Sequence, residues 1–375
     1  MAKKTAKKEK GINYPGIIDR RLAQLRFTIE EEKLDAIAVT YMPNIRYLTN
    51  FSGPAGVLYV TDKDMVLVTD PRYKALAEKD LYDLPDFYTE FTDEYWEVVK
   101  KHKVLKAVVS LGFEADKMPY AEAVNIRNLI RPVKFKPGTR LVEPFTQPKA
   151  EEELEYIKKA ARICLDVYEE IKKIIKTGMT EIELANELAY MARKAGSEGM
   201  PKDVIVLSGE NTAFSHATPT DKKIKKNELI QIDFGCRVNG FCSSISRVFA
   251  YGKPTKAHKD AYAHAHEAMA TTVKAITPGM NGQNLDEIGR KIIKKYGYGK
   301  EFNHELGHGI GIEPLEMPVI SPKIDDHFIH ENTVLTIKPG VYTDKFGIRL
   351  EDNVIVARGG GEYLTQAPEE LEVVS

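Results

Sequence analysis

Between Arg20 and Lys33 the apolar residues Leu22, Leu25 and Phe27 to Ile29 recur at the spacing of a helix with one buried face. The period then changes. "DAIAVTY", "GVLYVT" and "MVLVTD" are short apolar runs of the kind that form buried strands, the last two separated by the turn "DKD". "PRYKALAEK" predicts a further helix and "KAVVSLGFE" another strand. Alternation of this kind up to about residue 145 indicates a compact α/β domain. No glycine-rich phosphate loop interrupts it, so nucleotide binding has no residues to support it.

The texture shifts at Pro144 and Pro148, which mark a linker before a long amphipathic helix starting near Ala150. Gly178 stops that helix, and Thr180 and Gly196 are the N-cap and C-cap of a second one, "TEIELANELAYMARKAG". The strands "DVIVLSG" and "ELIQIDFGCRVNGFCSSISRVFAYG" follow, then helices near 256–276 and 284–296, and the glycine-rich "LGHGIGIEP". In "VLTIKPGVYTDKFGIRLEDNVIV" two apolar runs flank a Pro-Gly turn, and Lys338 stands where the first run meets it. A buried strand end is a costly place for an ammonium group unless a carboxylate waits there. The expected organisation is a basic tail at 1–13, an α/β domain at 14–146, a second domain at 147–360 and a C-terminal tail at 361–375.

Charge narrows the choice of partners. Lysine and arginine total 54 against 55 aspartates and glutamates, a formal net charge of −1. No global field gathers nucleic acid or an acidic membrane. The lysine-rich start "MAKKTAKKEKG" is expected to be a solvated, disordered tail rather than a nucleic-acid arm. It has no apolar stretch behind it, so it is not a signal peptide, and no run of roughly 18 apolar residues crosses a bilayer. Three cysteines without CxxC spacing argue against disulfides and for a cytoplasmic setting.

Five stretches of the second half carry candidate chemistry: "FSHATP" with His216, "QIDFG" with Asp233, "GFCSSISR" with Ser244, "ELGHGIGIEPLEMP" with His308, and "GIRLEDN" with Glu351. Each alone has a plain structural explanation. Asp233 can form a strand-end turn, His308 can be a satisfied core histidine, and Glu351 can pair with Arg349 or Arg247. In this order and spacing they resemble the pita-bread metallopeptidase family, which includes methionine aminopeptidase, aminopeptidase P, prolidase and the metal-free creatinase. The resemblance runs from about residue 15 to 358, and "MPNIRYLTNFSG" is similar to part of the creatinase/prolidase N-terminal domain. It implies an α/β (α+β) architecture: that N-terminal domain, then a curved antiparallel sheet with two helix pairs on its convex side.

The resemblance also implies a centre of two divalent ions held by two aspartates, one histidine and two glutamates. Asp233, His308 and Glu351 match three of these positions. The family pattern G-Y-x-S-D-x-T-R reads "GFCSSISR" here, which puts Ser244 at an aspartate position. T-x-E-P-G reads "TIKPG", which puts Lys338 at a glutamate position. A further family histidine that meets the substrate is replaced by Leu315. His216 and His304 match other active-site histidines, as vestigial or substrate-binding groups, and Arg349 matches a nearby arginine.

Four ligand carboxylates are thereby reduced to two, and a cation is added. The expectation is no functional dinuclear centre and no resident cofactor, or at most one weakly held manganese, cobalt, zinc or iron ion. Lys338 is expected to pair with Asp233 or Glu351 in place of a metal ion; the alternative is a lysine turned outward on its flexible stem. The expected function is a pseudo-peptidase binding a peptide or protein ligand in the cleft. The alternative is a residual Xaa-Pro peptide hydrolase, or a creatinase-like metal-independent C–N hydrolase using His216. A homodimer formed through the N-terminal domain is expected by analogy, with neither nucleic acid nor membrane as partner.

Overall fold

A computed structural model describes residues 14–375, and the chain divides into two compact units, the division falling between Phe145 and Thr146. The expectation for the basic stretch 1–13 lies outside the described residues.

The first unit is built on a six-stranded mixed sheet. Its strands are β1 (Ala36–Val39), β2 (Val57–Thr61), β3 (Met65–Thr69), β4 (Phe87–Phe91), β5 (Ser110–Glu114) and β6 (Lys134–Gly138), in the order β4-β3-β2-β1-β5-β6. β1, β2 and β3 pair antiparallel, whereas β4, β5 and β6 join in parallel. The unbroken apolar runs of β1, β2 and β3 reflect burial of every residue in them, as in strands covered on both faces. In the first helix, Tyr14–Glu31, Ile18, Leu22, Leu25 and Ile29 form the buried stripe, and Phe27 faces solvent. The run Phe27 to Ile29 thus contributes one core residue, not two, because only every third or fourth position shares a helix face.

The second unit holds β7 (Ile205–Ser208), β8 (Glu228–Val238), β9 (Phe241–Tyr251), β10 (Gly307–Gly309), β11 (Glu316–Ile320), β12 (Val334–Ile337), β13 (Gly340–Tyr342), β14 (Gly347–Arg349), β15 (Asp352–Ala357), β16 (Gly360–Tyr363) and β17 (Val373–Val374). They form a four-stranded sheet, β17-β9-β8-β7, a five-stranded sheet, β11-β10-β12-β15-β16, and the pair β13-β14. A reciprocal backbone pair between Ser246 and Glu351 stitches the two larger sheets together, with N–H to O distances of 3.3 and 3.1 Å. β8 and β9 are joined by Asn239-Gly240, both at positive φ, the two-residue turn that Asn-Gly favours.

Each larger sheet carries one pair of helices. Glu151–Ile174 and Glu181–Lys194 place Ala160, Cys164, Leu184 and Leu188 against Ile230, Ile232 and Phe234 of β8. Thr180 caps the second of these, receiving the Glu183 N–H at 3.1 Å, while Glu183 takes the Thr180 N–H at 2.8 Å. Lys256–Ala275 and Gly282–Lys295 pack Ala265, Met269, Leu285 and Ile293 on Leu335, Ile337, Val354 and Val356. At about 1.5–3 kcal/mol for each large apolar side chain buried, these two cores hold the sheets in place.

Residues 361–375, expected as a tail, are part of this unit. Val373–Val374 pairs in parallel with Ala250–Tyr251, and Asp352 accepts hydrogen bonds from the Thr365 hydroxyl (2.8 Å) and the Ala367 N–H (2.9 Å). The polar composition hid this, because Glu372 is itself bonded, accepting from the Tyr168 hydroxyl at 2.6 Å and Lys172 at 2.7 Å. Among the described residues no helix is long and apolar enough to cross a membrane.

Candidate functional site

The β8–β9 register builds the floor of the site. Asp233 lies opposite Ser246, and Gly235 lies opposite Ser244. Positions two apart share a face, so Asp233 and Ser244 project from the same side of the hairpin. β10 adds His308, and the chain crossing from β14 into β15 adds Arg349 and Glu351. His308 sits between glycines because neighbouring strands press on both sides. A Cβ on Gly307 would lie 2.0 Å from the Thr336 carbonyl oxygen, and one on Gly309 would lie 2.2 Å from that of Met317. Lys338 follows β12, with its N–H bonded to the Leu306 carbonyl at 2.7 Å.

Asp233, Ser244, His308, Lys338, Arg349 and Glu351 are all buried. Five of them, with His216, line a cavity of about 410 Å³; Ser244 lies beneath, donating a short hydrogen bond to Glu351 Oε1. Leu315, where the resemblance places a histidine, is 57% exposed and forms part of an apolar wall with Pro314, Val204 and Ile205. His304 sits to one side, its ring 6.3 Å from that of His216.

The cation between the two carboxylates is not Lys338. Lys338 donates to Glu305 Oε1 at 2.7 Å, a glutamate three residues before His308. Asp233 and Glu351 are instead joined by Lys202, whose Nζ lies 2.6 Å from Asp233 Oδ1 and 3.0 and 3.3 Å from the two Glu351 oxygens. Arg349 closes the network, donating to Asp233 Oδ2 and to the Ser215 carbonyl. Lys338 and Glu305 are brought together by the backbone bond from Lys338 to Leu306, so the nearer carboxylate captures the ammonium. Lys202 and Glu305 escaped the sequence reading. No local signal marks Lys202: it lies three residues before Ile205, and only the pairing of Ile205 with Asp233 in the folded sheet brings it to the site.

Three cations, Lys202, Lys338 and Arg349, face three carboxylates, Asp233, Glu305 and Glu351. Burial alone would raise the Glu351 carboxyl, but Lys202, Lys338 and the Ser244 hydroxyl outweigh it and hold it well below the usual range. Burial would lower the Lys202 ammonium, yet Asp233 and Glu351 keep it raised. Glu305 is held at about 2: its partial burial works upward and Lys338 prevails. His308 is pushed down to about 4 by burial and then by Lys338, so its imidazole is neutral. Its Nδ1 donates to the Gly309 carbonyl at 2.9 Å, which leaves Nε2 with a free lone pair. His304 is likewise pushed to about 4 by burial, with Nδ1 bonded to the Glu305 carbonyl at 2.8 Å and Nε2 accepting from the Tyr342 hydroxyl at 3.0 Å.

His216 rides on a loop anchored from below. The buried Glu181 carboxylate accepts from Ser208 N–H (2.7 Å), Asn211 Nδ2 (3.1 Å) and Thr220 N–H (3.0 Å), tying both ends of that loop to one group. Burial and the adjacent Arg349 guanidinium lower the His216 ring below its ordinary value. Its Nε2 lies 3.5 Å from Arg349 Nη1.

This donor set does not fit a dinuclear metal centre. Of the carboxylates lining the cavity, Asp233 is engaged by Lys202 and Arg349, and Glu351 by Lys202 and Ser244. Among the described residues no group of three histidine, cysteine, aspartate or glutamate side chains is arranged to hold a metal ion. Beside Asp233 and Glu351 stand a neutral hydroxyl, Ser244, and an ammonium, Lys338, neither of which bridges two divalent ions.

Residues 155–358 match metallopeptidase family M24, and residues 21–145 match the creatinase/prolidase N-terminal domain. An Xaa-Pro dipeptidase of Pyrococcus furiosus is 32% identical over 352 residues, covering 94% of this chain and 99% of that protein. Among solved structures, an Xaa-Pro dipeptidase from Bacillus anthracis superposes with a TM-score of 0.89 at 33% identity, covering 95% of this chain and 99% of that one. An X-Pro aminopeptidase from Thermotoga maritima gives 0.84 at 32% identity, covering 91% and 98%.

Proposed function

Because the chain belongs to metallopeptidase family M24 and carries a creatinase/prolidase N-terminal domain, we propose that its cleft binds a peptide, or a peptide segment of a protein, without dinuclear-metal hydrolysis. The family normally uses divalent metals. The observation that carries the proposal is the self-neutralised site: Lys202 spans Asp233 and Glu351, and Lys338 is paired with Glu305. Ions that would activate water have too few free carboxylates to bind, and a fixed ammonium faces the same oxygens. The cavity itself persists, with an apolar wall suited to a peptide side chain.

Xaa-Pro dipeptides test this directly. With manganese supplied, the chain is expected to turn over none of them while a proline-containing peptide still raises its melting temperature. Hydrolysis at a rate near that of an active Xaa-Pro dipeptidase would refute the proposal. A second reading keeps C–N hydrolysis and assigns it to His216, favoured by its imidazole, lowered below its ordinary value, lining the cavity beside Arg349. It requires metal-independent turnover that is lost in His216→Ala.

A further inference from the structure

Lys202 differs from the other two cations of the site in three ways. Lys338 is paired with Glu305, and Arg349 divides its guanidinium between Asp233 Oδ2 and the Ser215 carbonyl, whereas Lys202 contacts both ligand-position carboxylates. It also comes from a ten-residue connection, whereas Lys338 directly follows β12 and Arg349 ends β14. Residues 195–204 connect the helix Glu181–Lys194 to β7, and the Lys202 side chain is 28% exposed, against 4% for each carboxylate beneath it. Finally, Asp233 Oδ1 is buried and receives no well-aligned hydrogen bond, so its close ion-pair contact with the Lys202 ammonium is what compensates it. Without that ammonium, Asp233 Oδ1 would be a buried carboxylate oxygen with no compensating contact, Arg349 being engaged at Oδ2.

We infer that Lys202 is a tethered counter-cation that closes a latent single-ion site formed by Asp233 and Glu351, and that this lysine, rather than Lys338, keeps divalent metal out. Two carboxylates with water are a hard oxygen set, suited to manganese or magnesium. The ammonium at 2.6 and 3.0 Å supplies the positive charge such an ion would bring, without its open coordination positions. Because the lysine arrives on a separate loop, removing its charge leaves the backbone that carries both carboxylates, β8 and the crossing from β14 into β15, in place. The inference rests on the reading that the native chain lacks a dinuclear centre.

Manganese binding followed by the loss of the free-ion electron paramagnetic resonance signal tests it on the full chain. Lys202→Met keeps the stem and removes the charge. It is expected to bind about one equivalent at least tenfold more tightly than the native chain, equivalent to ~1.4 kcal/mol. Adding Asp233→Asn to that variant is expected to abolish the gain, and Lys338→Met alone should show none. Manganese should raise the melting temperature of Lys202→Met and leave the native chain unmoved. If Lys202→Met does not fold, expression in manganese-supplemented medium is expected to recover it, and failure to recover would count against the inference. Equal manganese binding by Lys202→Met and a native chain that binds none would overturn this inference alone. A native chain that takes up two equivalents would overturn the metal-free reading as well.

Discussion

Asp233 lies on β8 and Glu351 on the crossing from β14 into β15, yet both reach one ammonium group, without which the two buried carboxylates would repel each other more strongly. Lys202 resolves that repulsion from a loop, and Lys338 serves Glu305 instead. The two lysines therefore differ in what their removal should do. Taking away one partner of a buried pair costs about 3–5 kcal/mol, and Lys202→Ala is expected near the lower end of that range. Lys338→Ala is expected to cost only ~1 kcal/mol, since Glu305 is 32% exposed and water takes over part of its solvation. Urea denaturation of both variants checks the order, and a larger loss from Lys338→Ala would contradict the pairing. A second prediction belongs at this scale. Ser244→Asp with Lys338→Glu adds two carboxylates to the cavity but leaves Lys202 between Asp233 and Glu351. A manganese-dependent rise in melting temperature is expected only when Lys202→Met is added, and a full rise in the double variant would show that Lys202 yields to metal.

At the level of elements, the site depends on how closely β10 is pressed between β11 and β12. Gly307→Ala would drive a Cβ to 2.0 Å from a backbone oxygen of β12, which cannot swing aside as a side chain would. Overpacking of this kind costs about 1–3 kcal/mol, and the shift would carry His308 with it. The expected result is a clearly lower melting temperature, and an unchanged one would contradict the packing described for this strand. Much of the scaffold was legible in sequence because its signals are local. Thr180 caps its helix with Glu183 three residues on, and Asn239-Gly240 makes the hairpin that sets Asp233 opposite Ser246. Asp233, His308 and Glu351 were legible because each sits in a short motif on or beside a strand. Lys202 was not. A lysine between proline and aspartate in a loop has the composition of a solvated surface, and nothing local records that its ammonium reaches a strand floor. Lys338 was placed correctly on the backbone and given the wrong partner, because Glu305 lies 33 positions away and is aligned by a strand contact.

For the molecule as a whole, the site couples stability to pH. His304 and His308, each at about 4 in the fold against an ordinary 6.5, bind fewer protons than the unfolded chain between those values. Stability is therefore complete above about 6.5 and falls as the solution is acidified toward 4. Glu305, at about 2 against 4.5, continues the loss below that, and Glu351 acts in the same direction. Melting temperatures are expected to fall steadily from pH 7 to pH 4, with a shallower fall in His304→Gln; a flat profile would contradict the buried neutral histidines. On the proposed reading, protein cations, and not metal ions, neutralise the cleft of this M24 family member. Elemental analysis of the native chain, incubated with manganese and then dialysed, tests it most directly. Manganese well below one equivalent per chain is the predicted result, and two retained equivalents would contradict it.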